Sequence, residues 1–161
     1  MKIFQNLFAK GGIVIGSPVA GSLVSIKEVS DPTFGEEILG KGVAVIPSAN
    51  QIYAPIDGKV ATVFPTGHAV AVTGHDGTEI LIHVGLDTVK LNGEHFTIHA
   101  EENQEVKKGD LLLEADLEQI KAAGYDIITP IVICNSDEYT EIQAEEPKDV
   151  SPGDDILRLR K

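Results

Sequence analysis

Tryptophan is missing from the sequence, and aromatic residues of every kind are scarce, at 5% of 161 residues. Hydrophobic residues nevertheless make up 42% of the chain, so its core must be built mainly from aliphatic side chains. A hydrophobic content this high excludes an intrinsically disordered chain. The length fits one domain that is large enough to bury a substantial core.

Basic residues are also in short supply, with 13 lysines and arginines against 25 aspartates and glutamates. The resulting net charge of −12 argues against a nucleic acid as partner, because binding to a phosphate backbone needs clustered lysine and arginine. The same charge favours docking to basic protein surfaces. We therefore expect no nucleic acid among the partners.

Cysteine occurs once, as Cys134 in the apolar run IVIC (131–134). A single cysteine forms no disulfide framework, which is typical of a reducing compartment. We interpret Cys134 as a small buried hydrophobic residue rather than a nucleophile. No apolar run is as long as a membrane span, and the start of the chain lacks the features of a signal peptide. The sequence therefore predicts a cytoplasmic protein.

Residues 1–12 differ in pattern from the rest and form a predicted N-terminal amphipathic tail. Their apolar residues follow helical spacing, and Gly11–Gly12 provides a stop signal. Two interpretations stay open: a frayed tail or helix that packs on the domain, and a weak membrane-surface contact through residues 1–10 on anionic lipid. Met1 and this amphipathic start favour a free-standing protein, and a piece of a longer polypeptide stays open as the alternative. The apolar stripe comprises Ile3, Phe4, Leu7 and Phe8.

Residues 13–161 form a single predicted domain of the all-β class, an antiparallel β-sandwich or barrel. Short runs rich in β-branched residues recur along it, separated by turn signals such as Asp57–Gly58 and Asn92–Gly93. That spacing is typical of sandwiches and barrels. The predicted strands are IVIGS (13–17), SLVSI (22–26), GVAVIPS (42–48), QIYAP (51–55), KVATVFP (59–65), HAVAVTG (68–74), EILIHVGL (79–86), DLLLEA (110–115), ITPIVIC (128–134) and DILRLR (155–160).

One or two short helices are expected in this domain, one of them over residues 116–124. Asp116 is its expected cap, Ile120 and Ala123 face inward, and Gly124 ends it. The polar, proline-containing stretch QAEEPKDVSPG (143–153) is interpreted as a loop before the last strand.

Two internal similarities suggest that one β motif is used twice. SPVAGSLVSI (17–26) is similar to APIDGKVATV (54–63), with a proline, a glycine and then alternating aliphatic residues. EVKKGDLLLE (105–114) is similar to DVSPGDDILR (149–158), with a valine, a Gly-Asp pair and then a strand. The spacing is too irregular for a solenoid, so we expect a pseudo-symmetric core.

His83 lies in the aliphatic run EILIHVGL. Because side chains alternate along a strand, Ile80, Ile82 and Val84 share the predicted core face. Leu81, His83 and Gly85 share the other face. His83 is therefore expected on an apolar surface outside the core, where the Gly85 carbonyl can approach the ring and fix its tautomer.

His68 is the expected neighbour of His83. The turn TGHDG (73–77) separates the two strands, and a hairpin centred between residues 75 and 76 places His68 opposite His83. Thr66 has the same parity as His68 and is placed to hydrogen-bond it. The remaining histidines, His75, His95 and His99, are interpreted as solvated or loosely bonded side chains.

Several kinds of site are excluded by what the sequence lacks. A structural zinc site needs four ligands, and no third ligand accompanies His68 and His83 at a convincing spacing. Two histidines of HFTIH (95–99) share a strand face, but they too lack a partner ligand. The sequence contains neither a serine in a nucleophile turn nor a P-loop. No intrinsic metal and no cofactor are therefore expected.

Covalent phosphoryl carriage fits the two histidines. A neutral imidazole is a good nucleophile near pH 7, and a second imidazole can donate a hydrogen bond to the phosphoryl oxygens. Phosphoryl transfer depends chiefly on positioning and charge stabilisation. The apolar surroundings would keep water from the labile phosphorus–nitrogen bond.

The stretch GTEILIHVGLDTVKL (77–91) resembles the signature of the glucose-type IIA proteins of the bacterial phosphoenolpyruvate-dependent sugar phosphotransferase system. The resemblance extends from about residue 15 to residue 161 and keeps both order and spacing. It includes SPVAGSLVSI, VSDPTFGEEILGKGVAVIPS, YAPIDGKVATVFPTGHA and ITPIVICN. It implies an antiparallel β-sandwich, in agreement with the strand pattern.

The resemblance also implies roles for three site residues. His83 matches the histidine that accepts a phosphoryl group from the phosphocarrier protein HPr and passes it to the IIB domain of a IIB/IIC sugar permease. His68 matches the histidine that hydrogen-bonds the phosphoryl group, and Thr66 matches the residue that orients His68. In some members the two histidines also bind zinc when a partner supplies a carboxylate.

A partner-docking surface follows from the same resemblance. It combines apolar residues with acidic residues that would meet basic groups on a partner. Ala71 and Leu81 stand where familiar members carry phenylalanine, which would make this face less aromatic. The implied docking residues are Asp31, Phe34, Phe64, Ala71, Leu81, Val84, Gly85 and Asp87.

Two other functions stay open. The first is a regulatory binding module whose docking to target proteins is switched by phosphorylation of His83, since a doubly charged group would repel apolar or acidic partners. The second is a lipoyl- or biotin-type carrier, suggested by APIDGKV (54–60). Such carriers need a lysine at a hairpin tip, whereas Lys59 lies at a predicted strand start.

Overall fold

A computed structural model describes residues 12–161, so the predicted amphipathic helix and lipid contact of the tail lie outside the described residues. Within this range the chain forms strands, two short α-helices and three single turns of 3-10 helix. The strands are β1 (Gly12–Gly16), β2 (Gly21–Ser25), β3 (Lys41–Pro47), β4 (Gln51–Tyr53), β5 (Gly58–Val63), β6 (Ala69–Gly74), β7 (Glu79–His83), β8 (Phe96–Ile98), β9 (Glu105–Val106), β10 (Leu111–Ala115), β11 (Thr129–Ile133), β12 (Glu141–Ala144), β13 (Lys148–Val150) and β14 (Asp155–Arg160). The helices are α1 (Pro32–Gly35) and α2 (Leu117–Ala122).

Every strand pair is antiparallel, which confirms the predicted all-β class. The largest sheet has the order β13-β2-β3-β11-β7-β6-β5-β9. Two three-stranded sheets, β1-β14-β12 and β4-β10-β8, complete a β-sandwich. No helix within residues 12–161 is long and apolar enough to cross a bilayer.

The strand registers reveal a pseudo-twofold axis through the large sheet. Gly21 pairs with Val150 on one side, and Gly58 pairs with Val106 on the other. These four residues occupy matching places in the two sequence similarities, so the predicted pseudo-symmetry is confirmed. When the strand pairing is followed through β3 and β6, Ile131 becomes the equivalent of Ile82. These two residues also pair with each other across β11 and β7. The axis therefore passes beside the strand that bears His83.

The large sheet separates two apolar clusters. The main core lies between the sheets and includes Ile80, Ile82 and Val84, each no more than 1% exposed. The other face of the sheet carries a smaller cluster of Ile26, Val29, Phe34, Ala44, Leu86, Ile128 and Val132, against which Leu81 packs. The alternation predicted for β7 is thus confirmed, and His83 lies on the side of the smaller cluster.

The helix near residue 116 is confirmed in most respects. The Asp116 side chain accepts a hydrogen bond from the Gln119 N–H, and Ile120 is fully buried. Gly124 has a positive φ of 95°, which suits a glycine beyond a helix end. The prediction for Ala123 is wrong, because this residue caps the helix and is exposed.

Two further predictions are corrected. Residues 143–153 are not a plain loop, because they contain the end of β12 and all of β13, which pair with β14 and β2. Both strands are short and mostly exposed, so hydrophobic alternation did not reveal them.

Cys134 is exposed rather than buried, since it follows the end of β11. Partial desolvation and the nearby Glu79 carboxylate raise the pKa of its thiol, which does not favour a nucleophile.

The predicted hairpin register is wrong by one residue. Ala69, not His68, pairs with His83. The Gly74 N–H donates to the Thr78 carbonyl at 2.8 Å, so the loop between them holds three residues and ends at Gly77 with a φ of 93°. Three-residue hairpin loops commonly end in a glycine of this conformation.

Candidate functional site

His83 is the last residue of β7 and lies half-buried on the outer face of the large sheet. Its Nδ1 atom is 2.7 Å from the carbonyl oxygen of Gly85. A carbonyl can only accept a hydrogen bond, so Nδ1 must carry the proton. In the neutral ring the lone pair is therefore left on Nε2, the atom available as a nucleophile.

Gly85 can turn its carbonyl toward His83 because the chain has already left the strand, which ends at His83. Its φ is 78°, in the left-handed region that favours glycine. A Cβ added to Gly85 would come within 2.7 Å of the Thr88 Cγ2 atom and 2.8 Å of the Asp126 carbonyl oxygen. Any larger residue would therefore have to displace backbone next to the imidazole.

His68 lies immediately before β6 and is only 4% exposed. Its Nδ1 atom is 2.6 Å from the Thr66 Oγ1 atom, so the predicted hydrogen bond between these two side chains is present. When the threonine hydroxyl donates this hydrogen bond, the proton of the neutral His68 ring resides on Nε2. His68 then presents an N–H donor to a group bound at His83.

The two imidazoles meet despite the shifted register. Their ring centroids are 4.9 Å apart with an interplanar angle of 81°. The reason is that β6 begins only at Ala69, after a turn in which Gly67 has a φ of 70°. Strict alternation of faces no longer holds for His68, whose carbonyl accepts a 2.7 Å hydrogen bond from the Val84 N–H.

Both imidazoles are held neutral near pH 7. Burial, with a smaller contribution from His83, lowers the pKa of His68 from 6.5 to about 4. Burial also lowers the pKa of His83, and this effect exceeds the opposing influence of its hydrogen bond to Gly85 and of the Asp31 and Asp87 carboxylates. A neutral ring is the form that has a lone pair for attack.

Two phenylalanines flank the imidazoles, so that four rings form a row. The ring centroids of Phe34 and His83 are 4.9 Å apart, and those of Phe64 and His68 are 5.4 Å apart. Phe34 belongs to α1, whose Asp31 cap accepts a hydrogen bond from the Thr33 N–H. The rings cover the outer sides of the two imidazoles with apolar surface.

The residues expected on the docking surface divide into two groups. Asp87 is exposed, and the partly exposed residues are Asp31, Phe64, Ala71 and Leu81. Ala71 and Leu81 are direct cross-strand partners on the outer face of the sheet.

The other three expected docking residues are buried. Val84 is 0% exposed and belongs to the main core, so its side chain cannot contact a partner. Phe34 is 4% exposed, and Gly85 is buried. These residues lie beneath the surface of the site, and their part in partner docking stays a prediction.

The remaining histidines lie apart from this pair. His75 is 3.0 Å from a Glu105 oxygen, and His99 is 2.7 Å from a Glu114 oxygen, both on exposed surface. His95 is partly exposed with a φ of 74°. Within residues 12–161 no group of three or more histidine, cysteine or acidic side chains is placed to hold a metal ion.

Two residues near the site were not predicted. Thr88 is fully buried, and its hydroxyl donates to the Val84 carbonyl. Val89 is an apolar residue that is 49% exposed beside Asp87. Both lie after the strand, where alternation has no predictive value; only the turn-forming Gly-Leu-Asp-Thr sequence signals a tight bend.

An antiparallel β-sandwich with two facing neutral imidazoles on its outer sheet face suits a carrier that acts through a histidine nucleophile. Residues 13–139 match the family model for the phosphoenolpyruvate-dependent sugar phosphotransferase system, EIIA 1. The chain belongs to this family, and it is a IIA phosphoryl-carrier domain of that phosphotransferase system.

Relatives and a solved structure agree with this assignment. The chain is 45% identical to the β-glucoside-specific EIIBCA component of the phosphotransferase system of Bacillus subtilis (strain 168) and 41% identical to that of Halalkalibacterium halodurans, in each case over 91% of the chain. It spans 24% and 23% of the length of these proteins. The glucose permease IIA from Mycoplasma capricolum superposes with a TM-score of 0.84 at 35% identity, covering 91% of this chain and 95% of that one.

Proposed function

We propose that Nε2 of His83 is the phosphoryl acceptor of this IIA domain and that HPr is the donor. The observation that carries this proposal is the hydrogen bond from Nδ1 of His83 to the Gly85 carbonyl, which leaves the lone pair on Nε2. His68 has its Nδ1 atom occupied by Thr66, and the residue is only 4% exposed. It suits the role of hydrogen-bond donor.

In the transfer step the Nε2 lone pair of His83 forms a bond to phosphorus as the phosphorus–nitrogen bond to the donor's histidine breaks. The electron pair of the broken bond returns to the donor's imidazole. Nδ1 of His83 keeps its proton, and the positive charge that develops on the ring is stabilised by the Gly85 carbonyl. Asp31 and Asp87 favour the same charge, since both raise the pKa of His83.

The Nε2–H of His68 then stabilises the phosphoryl oxygens. A donor aimed at developing oxygen charge typically accelerates a transfer by about 100-fold or more. The neutral state of His68 matters here because its Nδ1 atom can accept the Thr66 hydroxyl proton only when unprotonated. Thr66 thereby sets which nitrogen of His68 donates.

The onward acceptor is a IIB domain of a sugar permease. Curated relatives in Bacillus subtilis and Halalkalibacterium halodurans are named as β-glucoside-specific EIIBCA components, so IIB domains of that specificity are the first candidates. The half-buried apolar pair Ala71 and Leu81, with exposed Asp87 and Val89, supplies a surface on which a basic partner can dock beside His83.

Phosphoryl transfer from phospho-HPr tests the assignment. His83→Gln should accept no phosphoryl group. His68→Gln should be phosphorylated on His83 but pass the group to IIB at least about 100-fold more slowly. His75→Gln is the matched control, because it makes the same change at an exposed histidine outside the site. Stable phosphorylation of His83→Gln would overturn the proposal, and comparison of β-glucoside and glucose IIB domains would identify the recipient.

A further inference from the structure

Thr88 is a fully buried polar residue that contacts the loop holding His83 in place. Its side chain is 0% exposed, and its Oγ1 atom donates a 2.5 Å hydrogen bond to the Val84 carbonyl. Its Cγ2 methyl lies against Gly85, where an added Cβ would come within 2.7 Å of it. One side chain thus contacts both residues that follow His83.

Two successive carbonyl groups in this loop accept side-chain hydrogen bonds. The Thr88 hydroxyl holds the Val84 carbonyl on one side of the loop. The next carbonyl, that of Gly85, accepts the Nδ1 proton of His83. The Val84 carbonyl belongs to the peptide group that precedes Gly85. With the φ of Gly85 at 78°, the direction of the Gly85 carbonyl follows the orientation of that peptide group.

We propose that Thr88 is a positioning residue for the phosphoryl acceptor. Its hydroxyl holds the Val84–Gly85 peptide so that the Gly85 carbonyl keeps the proton on Nδ1 of His83 and leaves Nε2 free to attack. This inference rests on the proposed role of His83 as acceptor. Thr88 itself touches neither the phosphoryl group nor a partner, since it is buried beneath the loop.

Substitution of Thr88 separates the hydroxyl from the methyl group. Thr88→Val keeps the shape of the side chain but removes the donor, whereas Thr88→Ser keeps the donor and removes the methyl. In Thr88→Val the His83 ring should shift toward the Nε2–H tautomer, seen in the ¹⁵N chemical shifts of its two nitrogens. The maximal rate of phosphorylation by phospho-HPr should fall about 10-fold, as expected for the loss of one buried hydrogen bond.

The KM for phospho-HPr should stay within about twofold of wild type, because a buried residue makes no contact with the donor. Thr88→Ser should retain the wild-type tautomer and most of the rate. Thr78→Val is the matched control: Thr78 is also 0% exposed, and its hydroxyl bonds Asp76 and the Tyr139 hydroxyl beyond the opposite end of β7. It should lower stability without changing the His83 tautomer.

A wild-type tautomer and rate in Thr88→Val would overturn the proposal, as would an equal tautomer shift in Thr78→Val. If the valine variant does not fold, Thr88→Ser and Thr88→Ala provide the same contrast, because both lack the methyl and only serine retains the hydroxyl. Equal spectra for these two would likewise contradict it. Failure of the proposed function has a separate signature, namely wild-type protein that is not phosphorylated on His83.

Discussion

At the scale of single residues, the two imidazoles differ in what occupies their Nδ1 atoms. His83 faces a backbone carbonyl, which can only accept, and His68 faces a hydroxyl, which can also donate. When that hydroxyl donates to His68, two rings of the same kind are set in complementary states, one with a free lone pair and one with a free N–H. Burial keeps both neutral, which preserves this difference near pH 7.

The lowered pKa of His68 predicts how stability depends on pH. Since the ring has a pKa of about 4 when folded and 6.5 when unfolded, the unfolded chain binds the extra proton in between. The free energy of unfolding should therefore decline as the pH falls from 6.5 to 4, with at most about 3 kcal/mol attributable to His68. Urea unfolding of wild type and His68→Gln across this range measures that share as the difference in slope.

His75→Gln serves as the control for the same substitution on exposed surface. A pH dependence that is the same in His68→Gln and wild type would contradict the burial of a neutral His68.

At the scale of structural elements, the site depends on where strands end rather than on their regular parts. The interior of β7 follows strict alternation, so the core face of Ile80 and Ile82 and the outer position of His83 were predictable. The hairpin register was not, because it depends on whether the turn holds two or three residues. The sequence TGHDG permits either, and only the packed structure selects one.

The helix that covers the site was not placed by the sequence, and Phe34 was singled out only through family resemblance. Helix α1 has four residues and no periodicity to reveal it, and Phe34 was assigned to the docking surface. The structure instead buries this ring against His83. The exposure of Phe34 depends on how α1 packs on the smaller apolar cluster, a tertiary property that local sequence does not encode.

Phe34→Leu tests the role of this covering element. Leucine keeps an apolar side chain but removes the ring beside the imidazole, so water should reach the phosphorus–nitrogen bond more easily. The phosphorylated variant should hydrolyse several-fold faster than wild type, as followed by ³¹P NMR. Stability should fall by about 1–2 kcal/mol, as is usual for a buried substitution of this size.

Val29→Ala is the control, because it shortens another buried side chain of the same cluster. An unchanged hydrolysis rate in Phe34→Leu, or an equal increase in Val29→Ala, would show that the ring does not shield the phosphoryl group.

At the scale of the whole molecule, the large sheet is a pseudo-twofold repeat, but the two imidazoles occur in only one of its halves. Equivalent hydrogen bonds join Gly153 to Ser17 and Gly109 to Ala54, each at 2.9 Å. The same equivalence relates His68 to Lys41 and His83 to Val132. One half of the sheet therefore bears the two imidazoles. The other half has Val132, an aliphatic residue of the smaller apolar cluster, in the place of His83. Sequence similarity revealed the repeat but not the position of its axis, which follows from strand pairing.

The repeat predicts matched effects at two glycines. A Cβ on Gly21 would lie 2.1 Å from the Ile46 carbonyl oxygen, and one on Gly58 would lie 2.1 Å from the Thr73 carbonyl oxygen. Gly21→Ala and Gly58→Ala should therefore each lower the free energy of unfolding by about 1–3 kcal/mol, and by similar amounts. Urea denaturation measures both values.

Gly109→Ala provides the comparison, because its φ is 97° but nothing lies within 4 Å of an added Cβ. It should cost about 1 kcal/mol from backbone strain alone. A neutral effect at only one of the two paired glycines would contradict their equivalence.

Atom-resolved NMR of the phosphorylated protein tests most directly which histidine nitrogen carries the phosphoryl group. Wild-type protein with ¹⁵N-labelled histidine would be phosphorylated by phospho-HPr, and phosphorus–nitrogen coupling would identify the bonded nitrogen. We expect phosphorus to be bound to Nε2 of His83, Nδ1 to keep its proton, and His68 to be unmodified. Phosphorus on His68, or on Nδ1 of His83, would contradict it.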